Sequence, residues 1–207
     1  MTFASVYEIL DPLTVIRKQK FWDWFDGSDV KAFWNKNLIG SSSIAMEDAV
    51  NDGVKLSTGA TIFSFSMLDF NSINHYSHTA SAWILMCRLR DAVQDRFRVG
   101  LNDFQDAASF TQGYVWDALT GTNTNHQLVA VNTTSSATDS DIAISTNIHV
   151  YSAEITSSDV KGKIDGVLKA THTTTLPTIA LQPKLTCWNN TAADRALFAR
   201  YYEAYNT

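Results

Sequence analysis

Ile164-Asp165-Gly166-Val167-Leu168-Lys169-Ala170-Thr171 is the stretch that decides how this chain folds. Two short alternating runs, 161–164 and 167–171, flank an Asp-Gly pair. Both central residues of a type I′ turn need positive φ, which Asp tolerates and Gly adopts freely, so the string predicts a tight β-hairpin. Working outward, the same period of two recurs in 61–68, 82–90, 96–101, 112–119, 126–133 and 142–155, and the Tyr-rich 196–205 favours a further strand, although Ala193-Asp194-Arg195-Ala196-Leu197 could also start a helix. Such alternation places successive side chains on opposite faces of a strand. Asn51-Asp52-Gly53 predicts a second tight turn, and the polar connection 91–95 reads as the link between two paired strands. No long stretch carries the helical period. The economical arrangement is all-β: one antiparallel two-sheet sandwich over 1–207, with 1–40 an aromatic-rich extension packing on the sandwich or on a partner.

Composition agrees. The chain has 207 residues, 45% hydrophobic and 12% aromatic, enough for a substantial core, while only 18% are charged. A net charge of −5 argues against a nucleic-acid partner. The longest apolar run, Trp83-Ile84-Leu85-Met86-Cys87, is too short to span a bilayer, so no membrane insertion is expected. Residues 1–20 show no basic stretch leading into a long apolar one, which predicts synthesis in a cytoplasm without a secretory leader. Cys87 and Cys187 each sit in an apolar strand-like run and read as buried hydrophobes.

The hairpin continues into a Thr-rich stretch ending at Leu176-Pro177, and it is preceded by Ile148-His149-Val150-Tyr151. That order, with Val99-Gly100-Leu101-Asn102-Asp103 before it and Tyr201-Tyr202-Glu203-Ala204-Tyr205 closing the chain, resembles the concanavalin A-like, or laminin G-like, jelly-roll superfamily. The resemblance implies a jelly-roll β-sandwich. It leaves function open, because the superfamily includes glycoside hydrolases, polysaccharide lyases, lectins and domains of bacteriophage and viral particles.

Retaining hydrolases of that superfamily use Glu-x-Asp-x-Glu on one strand, since alternate residues share a face and bring two carboxylates together. This chain has four glutamates, Glu8, Glu47, Glu154 and Glu203, and none has an acid two or four positions away. The only acidic i, i+2 pair, Asp139 and Asp141, sits in a Ser/Thr-rich stretch that reads as a loop. A lyase would need a base such as His149 or Tyr151 beside cationic groups. The expectation is therefore that the protein is not an enzyme. No cofactor is expected, with Ca²⁺ at Asp139 and Asp141 the only metal alternative.

Binding surfaces are more suggestive. Trp83, Tyr114, Trp116, His149, Tyr151 and Trp188 are candidates for glycan stacking on a concave sheet. Phe21, Trp22, Trp24, Phe25 and Trp34 crowd the N-terminal region and predict a subunit contact. Arg88 and Arg90, then Arg96 and Arg98, form an arginine patch on a presumed hairpin, suited to acidic groups of another subunit or an anionic glycan. Together these lead to the expectation of a non-enzymatic virion structural protein, a capsid decoration or tail-associated protein of a bacteriophage or similar virus. It would be homo-oligomeric, contact other virion subunits and possess an affinity for host glycans. The alternatives are a lectin-like carbohydrate-binding module and, behind it, a polysaccharide-active hydrolase or lyase.

Overall fold

The computed structural model describes residues 20–47, 53–92, 95–103, 110–119 and 124–207. The Asp-Gly hairpin forms where expected. Strands β12 (Val160–Ile164) and β13 (Val167–His172) pair antiparallel, with Asp165 and Gly166 at φ 52° and 79°. A Cβ on Gly166 would meet nothing within 4 Å, so glycine is there for its dihedral and not for space.

The other strands, in chain order, are β1 (Lys20–Asp23), β2 (Asn35–Ile39), β3 (Ser43–Met46), β4 (Val54–Ser57), β5 (Phe65–Asp69), β6 (Ser81–Leu89), β7 (Asp95–Asn102), β8 (Gln112–Leu119), β9 (Asn125–Asn132), β10 (Thr134–Ala143), β11 (His149–Ile155), β14 (Gln182–Asn189) and β15 (Ala196–Asn206). The first sheet runs β13-β12-β11-β6-β15-β4-β3, with β1 also on β15. The second runs β10-β9-β8-β7-β14-β5-β2. Every pairing is antiparallel, and no helix occurs among the described residues. This is the all-β two-sheet sandwich the alternation implied.

Four expectations need correction. First, β6 and β7 lie in different sheets: β6 pairs with β11 and β15, β7 with β14 and β8. The arginine pairs on these strands thus never face each other across a ladder. Second, the run 61–68 is strand only from Phe65, because Phe63 takes a positive φ of 61°. Third, 142–155 is broken after Ala143 and resumes at His149. Fourth, the supposed loop at Asp139 and Asp141 is strand β10 with a bulge between Asp139 and Ala143. Of Asn51-Asp52-Gly53, only Gly53 is described, at φ 67°; Asn51 and Asp52 lie outside the described residues.

The aromatic surplus is spent inside. Trp83, Tyr114, Trp116 and Tyr151 are buried in the core between the sheets, which removes them as glycan-stacking residues. The polar tips of Tyr114, Trp116 and Tyr151 reach the opposite sheet, while Trp83 Nε1 is buried without a hydrogen-bond partner. Trp116 Nε1–H donates to the Ser152 carbonyl at 3.0 Å, and the Tyr114 hydroxyl donates to the Ser81 carbonyl at 3.0 Å. From the other side, the Tyr202 hydroxyl donates to the Gly100 carbonyl at 3.0 Å, and His172 Nε2 lies 3.0 Å from the Leu128 carbonyl. A buried polar tip costs free energy unless it is satisfied, so the bonded side chains tie the two sheets together at defined points. Gly162 makes room for one of them: a Cβ there would come within 2.8 Å of the Trp116 ring.

The N-terminal aromatics divide. Phe25 and Trp34 are buried in the protein's own core, and Phe21 packs edge-on against Phe33, Trp34 and Phe70 at 4.9–5.5 Å. They close an edge of the sandwich and are not available to another subunit. Trp22 and Trp24 remain exposed. Trp34 Nε1–H bonds Asp23 Oδ2 at 2.9 Å, which accounts for that buried carboxylate. Cys87 and Cys187 are buried thiols that form no disulfide.

Candidate functional site

The outward face of the second sheet follows from the alternation. On β7, Phe97, Val99 and Leu101 enter the core, so Arg96 and Arg98 point out; on β8, Tyr114, Trp116 and Ala118 go in and Asp117 comes out. Gln127 on β9 and Ser135, Ala137 and Asp139 on β10 share that outward face. Between β7 and β10, Arg96, Arg98, Asp117, Gln127, Ser135 and Ala137 line a groove of about 330 Å³, whose apolar wall is Phe110, Val129 and Val131; Asp139 lies on the same face just beyond this lining.

Asp117 is the centre of its charge. Arg98 Nη2 lies 2.9 Å and Arg96 Nη2 3.0 Å from Asp117 Oδ2. Each guanidinium is also covered by a ring: Phe110 at 4.6 Å from Arg98, Trp188 at 4.5 Å from Arg96. The strand alternation places Arg96 and Arg98 side by side, and the carboxylate on the next strand offsets their repulsion. Of the arginine patch, these two form a site. Arg88, on the outward face of the first sheet, stacks on Phe198 at 3.9 Å, and Arg90 pairs with Asp194 at 2.6 Å. Trp188 is the one glycan-stacking candidate on this outward face, where it stands beside Arg96 and outside the groove lining.

Register adds a residue that inspection along the sequence passed over. Asp117 stands opposite Gln127, and Gln127 opposite Asp139. Two strand spacings of about 4.8 Å put the two aspartates about 10 Å apart across Gln127. Asp139 Oδ1 accepts the Asn125 side-chain amide at 2.9 Å and the Asp141 N–H at 2.7 Å. Asp141 itself has φ 58° at the bulge, so the pair forms a turn within the strand; no group of three metal-ligating side chains occurs among the described residues. Farther along the same face, Asn102 Oδ1 and Nδ2, Gln182 Nε2 and Thr186 Oγ1 are buried without a hydrogen-bond partner, a concentration of unmet polar atoms unusual for a plain structural surface.

His149 and Tyr151 do not form a base beside the arginines. His149 Nδ1 lies 2.7 Å from Asp165 and its Nε2 3.1 Å from Ser145 Oγ, a chain that ties the β10–β11 connection to the hairpin turn. Ser145 Oγ also accepts the Asn147 N–H. Tyr151 turns into the core against His126 Nε2 at 3.3 Å. Burial pushes the Tyr151 phenol well up, with Cys87 and Asp165 adding to the shift, so it is no proton acceptor at neutral pH.

The architecture is that of a concanavalin A-like jelly-roll sandwich. No protein-family model matches the chain, and no curated protein matches it. Solved structures do. A Crh5 transglycosylase in complex with NAG aligns over 91% of this chain and 84% of its own, at 14% identity and a TM-score of 0.66. A Bacillus licheniformis β-glucanase aligns over 91% and 98%, at 14% identity and 0.61. A Clostridium perfringens endo-β-galactosidase that releases GlcNAcα1-4Gal aligns over 95% and 65%, at 11% identity and 0.66.

Identities this low establish the fold alone. They nonetheless overturn the expectation of a non-enzymatic virion protein. That expectation took the fold to be of the kind found on viral particles, whereas these structures are named for enzymes acting on glycans. Virion, capsid and bacteriophage roles find no support among them.

Proposed function

We propose that this protein is a carbohydrate-active enzyme that receives a glycan in the groove of the second sheet. The observation that carries the reading is the row Asp117–Gln127–Asp139, two outward carboxylates about 10 Å apart by strand spacing with a hydrogen-bonding amide between them. Carboxylates separated by about 6.5–9.5 Å suit inverting glycoside hydrolysis, because the gap admits the attacking water; retaining chemistry needs about 5–5.5 Å. Two strand spacings lie close to the former separation and far from the latter.

In this reading Asp117, held by Arg96 and Arg98, positions the water, and Asp139, on the open edge strand, faces the leaving-group oxygen. The Glu-x-Asp-x-Glu string is absent: around Asp117 the strand reads Val115-Trp116-Asp117-Ala118-Leu119, with one acid at its centre. The second carboxylate then comes from across the sheet and not from along the strand.

The test is incubation with neutral and acidic polysaccharides, with the anomeric form of new reducing ends read by NMR. Inverted products, lowered by roughly 10²-fold or more in Asp117→Asn and in Asp139→Asn, are expected. Absence of product on every substrate, retained configuration, or an unchanged rate in both variants would overturn the proposal.

A further inference from the structure

The outward face of the first sheet carries a second arrangement, distinct from the groove. On β15, Tyr201, Glu203 and Tyr205 alternate outward. The register sets Trp22 of β1 opposite Glu203 and Lys20 opposite Tyr205, and Trp24 follows beside Tyr201, its ring 4.5 Å away. On the other side of β15 lie Met86, Ile84 and Ala82 of β6, and beyond them Val150, Ser152 and Glu154 of β11. The result is a grid in which aromatic and charged side chains interleave. Ala82, the smallest residue in its row, sits between Tyr205 and Glu154. A cavity of about 480 Å³ opens there, lined by Lys20, Glu154, Glu203 and Tyr205.

Two properties of the grid point to a ligand. Trp22 and Trp24 are 44% and 52% exposed, whereas Trp34, Trp83 and Trp116 are buried. The cavity holds carboxylates in excess. Lys20 bonds Glu203 at 2.9 Å and the Tyr201 hydroxyl donates to the same carboxylate, whereas Lys161, opposite Glu154 in register, pairs with Asp159 at 3.0 Å and not with Glu154. A surface with flat apolar rings and carboxylate acceptors matches a polyhydroxylated, uncharged chain: sugar C–H faces lie on the rings and hydroxyls bond the carboxylates. An acidic chain would be repelled by the excess carboxylate.

We propose that this face is a second glycan-binding surface, specific for neutral oligosaccharides, with Trp22, Trp24 and Tyr205 as stacking platforms and Glu203 and Glu154 as hydroxyl acceptors. Burial and the Glu203 carboxylate push the Tyr201 and Tyr205 phenols up, so both hydroxyls remain donors at neutral pH. In a protein that acts in the opposite groove, such a surface holds polymeric substrate near the molecule without taking part in the reaction.

The experiment is titration calorimetry with neutral β-glucan, chitin-type and galactan hexasaccharides. It compares the wild type with Trp24→Ala, Glu203→Gln and Asp139→Asn, each first checked for an unchanged circular dichroism spectrum. Binding by the wild type, weakened about tenfold or more by Trp24→Ala and by Glu203→Gln and unchanged by Asp139→Asn, is expected. Loss on Asp139→Asn alone would assign the binding to the groove and overturn this inference while leaving the groove reading intact. No binding of any neutral hexasaccharide would also overturn it. So would equal binding by Trp24→Ala together with a shift from dimer to monomer in sedimentation, which would make the face an interface between copies. Binding as expected with no hydrolysis would remove the groove reading and leave this one standing.

Discussion

Arg98 and Asp117 face each other from adjacent strands, Nη2 to Oδ2 at 2.9 Å, with both side chains almost wholly buried. Arg96 approaches the same oxygen, so a single carboxylate holds two guanidiniums. Such a cluster contributes little over a hydrophobic replacement of all its members, but removing one partner leaves uncompensated charge. Asp117→Ala is expected to destabilise by about 3–5 kcal/mol, and Asp117→Asn, which keeps an acceptor, by less. Urea unfolding of both variants measures the difference; equal midpoints for Asp117→Ala and the wild type would show that the cluster is solvated in solution.

The cross-sandwich hydrogen bonds make a second expectation. Tyr202→Phe removes only the hydroxyl that donates to the Gly100 carbonyl and leaves the ring in place, so the loss is about 1 kcal/mol, up to about 3 if the carbonyl stays unpaired. Trp116→Phe adds a cavity to the same loss and is expected to cost more. Because both residues are buried in the core, neither substitution should change glycan affinity, measured by calorimetry at a temperature where the variants remain folded.

Two glycines separate dihedral from space. At Gly166 an alanine meets no atom but must take φ near 79°, an expected cost of about 1 kcal/mol. At Gly162 the added methyl meets the Trp116 ring at 2.8 Å and Leu128 at 2.9 Å, and overpacking of this kind costs about 1–3 kcal/mol. Gly162→Ala should also perturb the near-ultraviolet circular dichroism of Trp116, whereas Gly166→Ala should not.

Acid stability is expected to depend on His126. Burial first, and then the charge of His149, lower its pKa from 6.5 to about 4, with Asp165 acting in the opposite sense. The unfolded chain therefore takes up this proton at a higher pH than the folded protein does. Stability is full above about pH 6.5 and falls as the pH drops toward 4, by about 3 kcal/mol in total from this group. Unfolding free energies between pH 7.5 and 4.5 should show that decline, and His126→Phe, which keeps a ring against Phe97, should flatten it.

Particular residues show how far the sequence could be read. Asp165-Gly166 specified its hairpin because a type I′ turn is a local demand on two dihedrals, met by two adjacent residues. The inward and outward sets on β7 and β8 were equally readable, since alternation is a property of a single strand. The connection after Leu89 was not. A short polar link between two strand-like runs looks the same whether the strands pair or cross to opposite sheets, and here β6 and β7 cross. The aromatics failed as markers of a binding surface for a related reason. Composition counts rings, but whether a ring's polar tip has a carbonyl to reach in the facing sheet, as Trp116 and Tyr202 do, depends on how the sheets are stacked.

The same distinction governs the candidate site. A search for acids two positions apart inspects one strand, and it correctly finds no Glu-x-Asp-x-Glu. It cannot see Asp117 and Asp139, which lie 22 residues apart in the chain and share a row only because β8, β9 and β10 form a meander in register. Sequence by itself determined what each strand presents to either side, because backbone pleating couples neighbouring residues. Tertiary structure decided which strands lie side by side, because that is settled by the burial of the whole apolar surface, and with it which charges and rings meet.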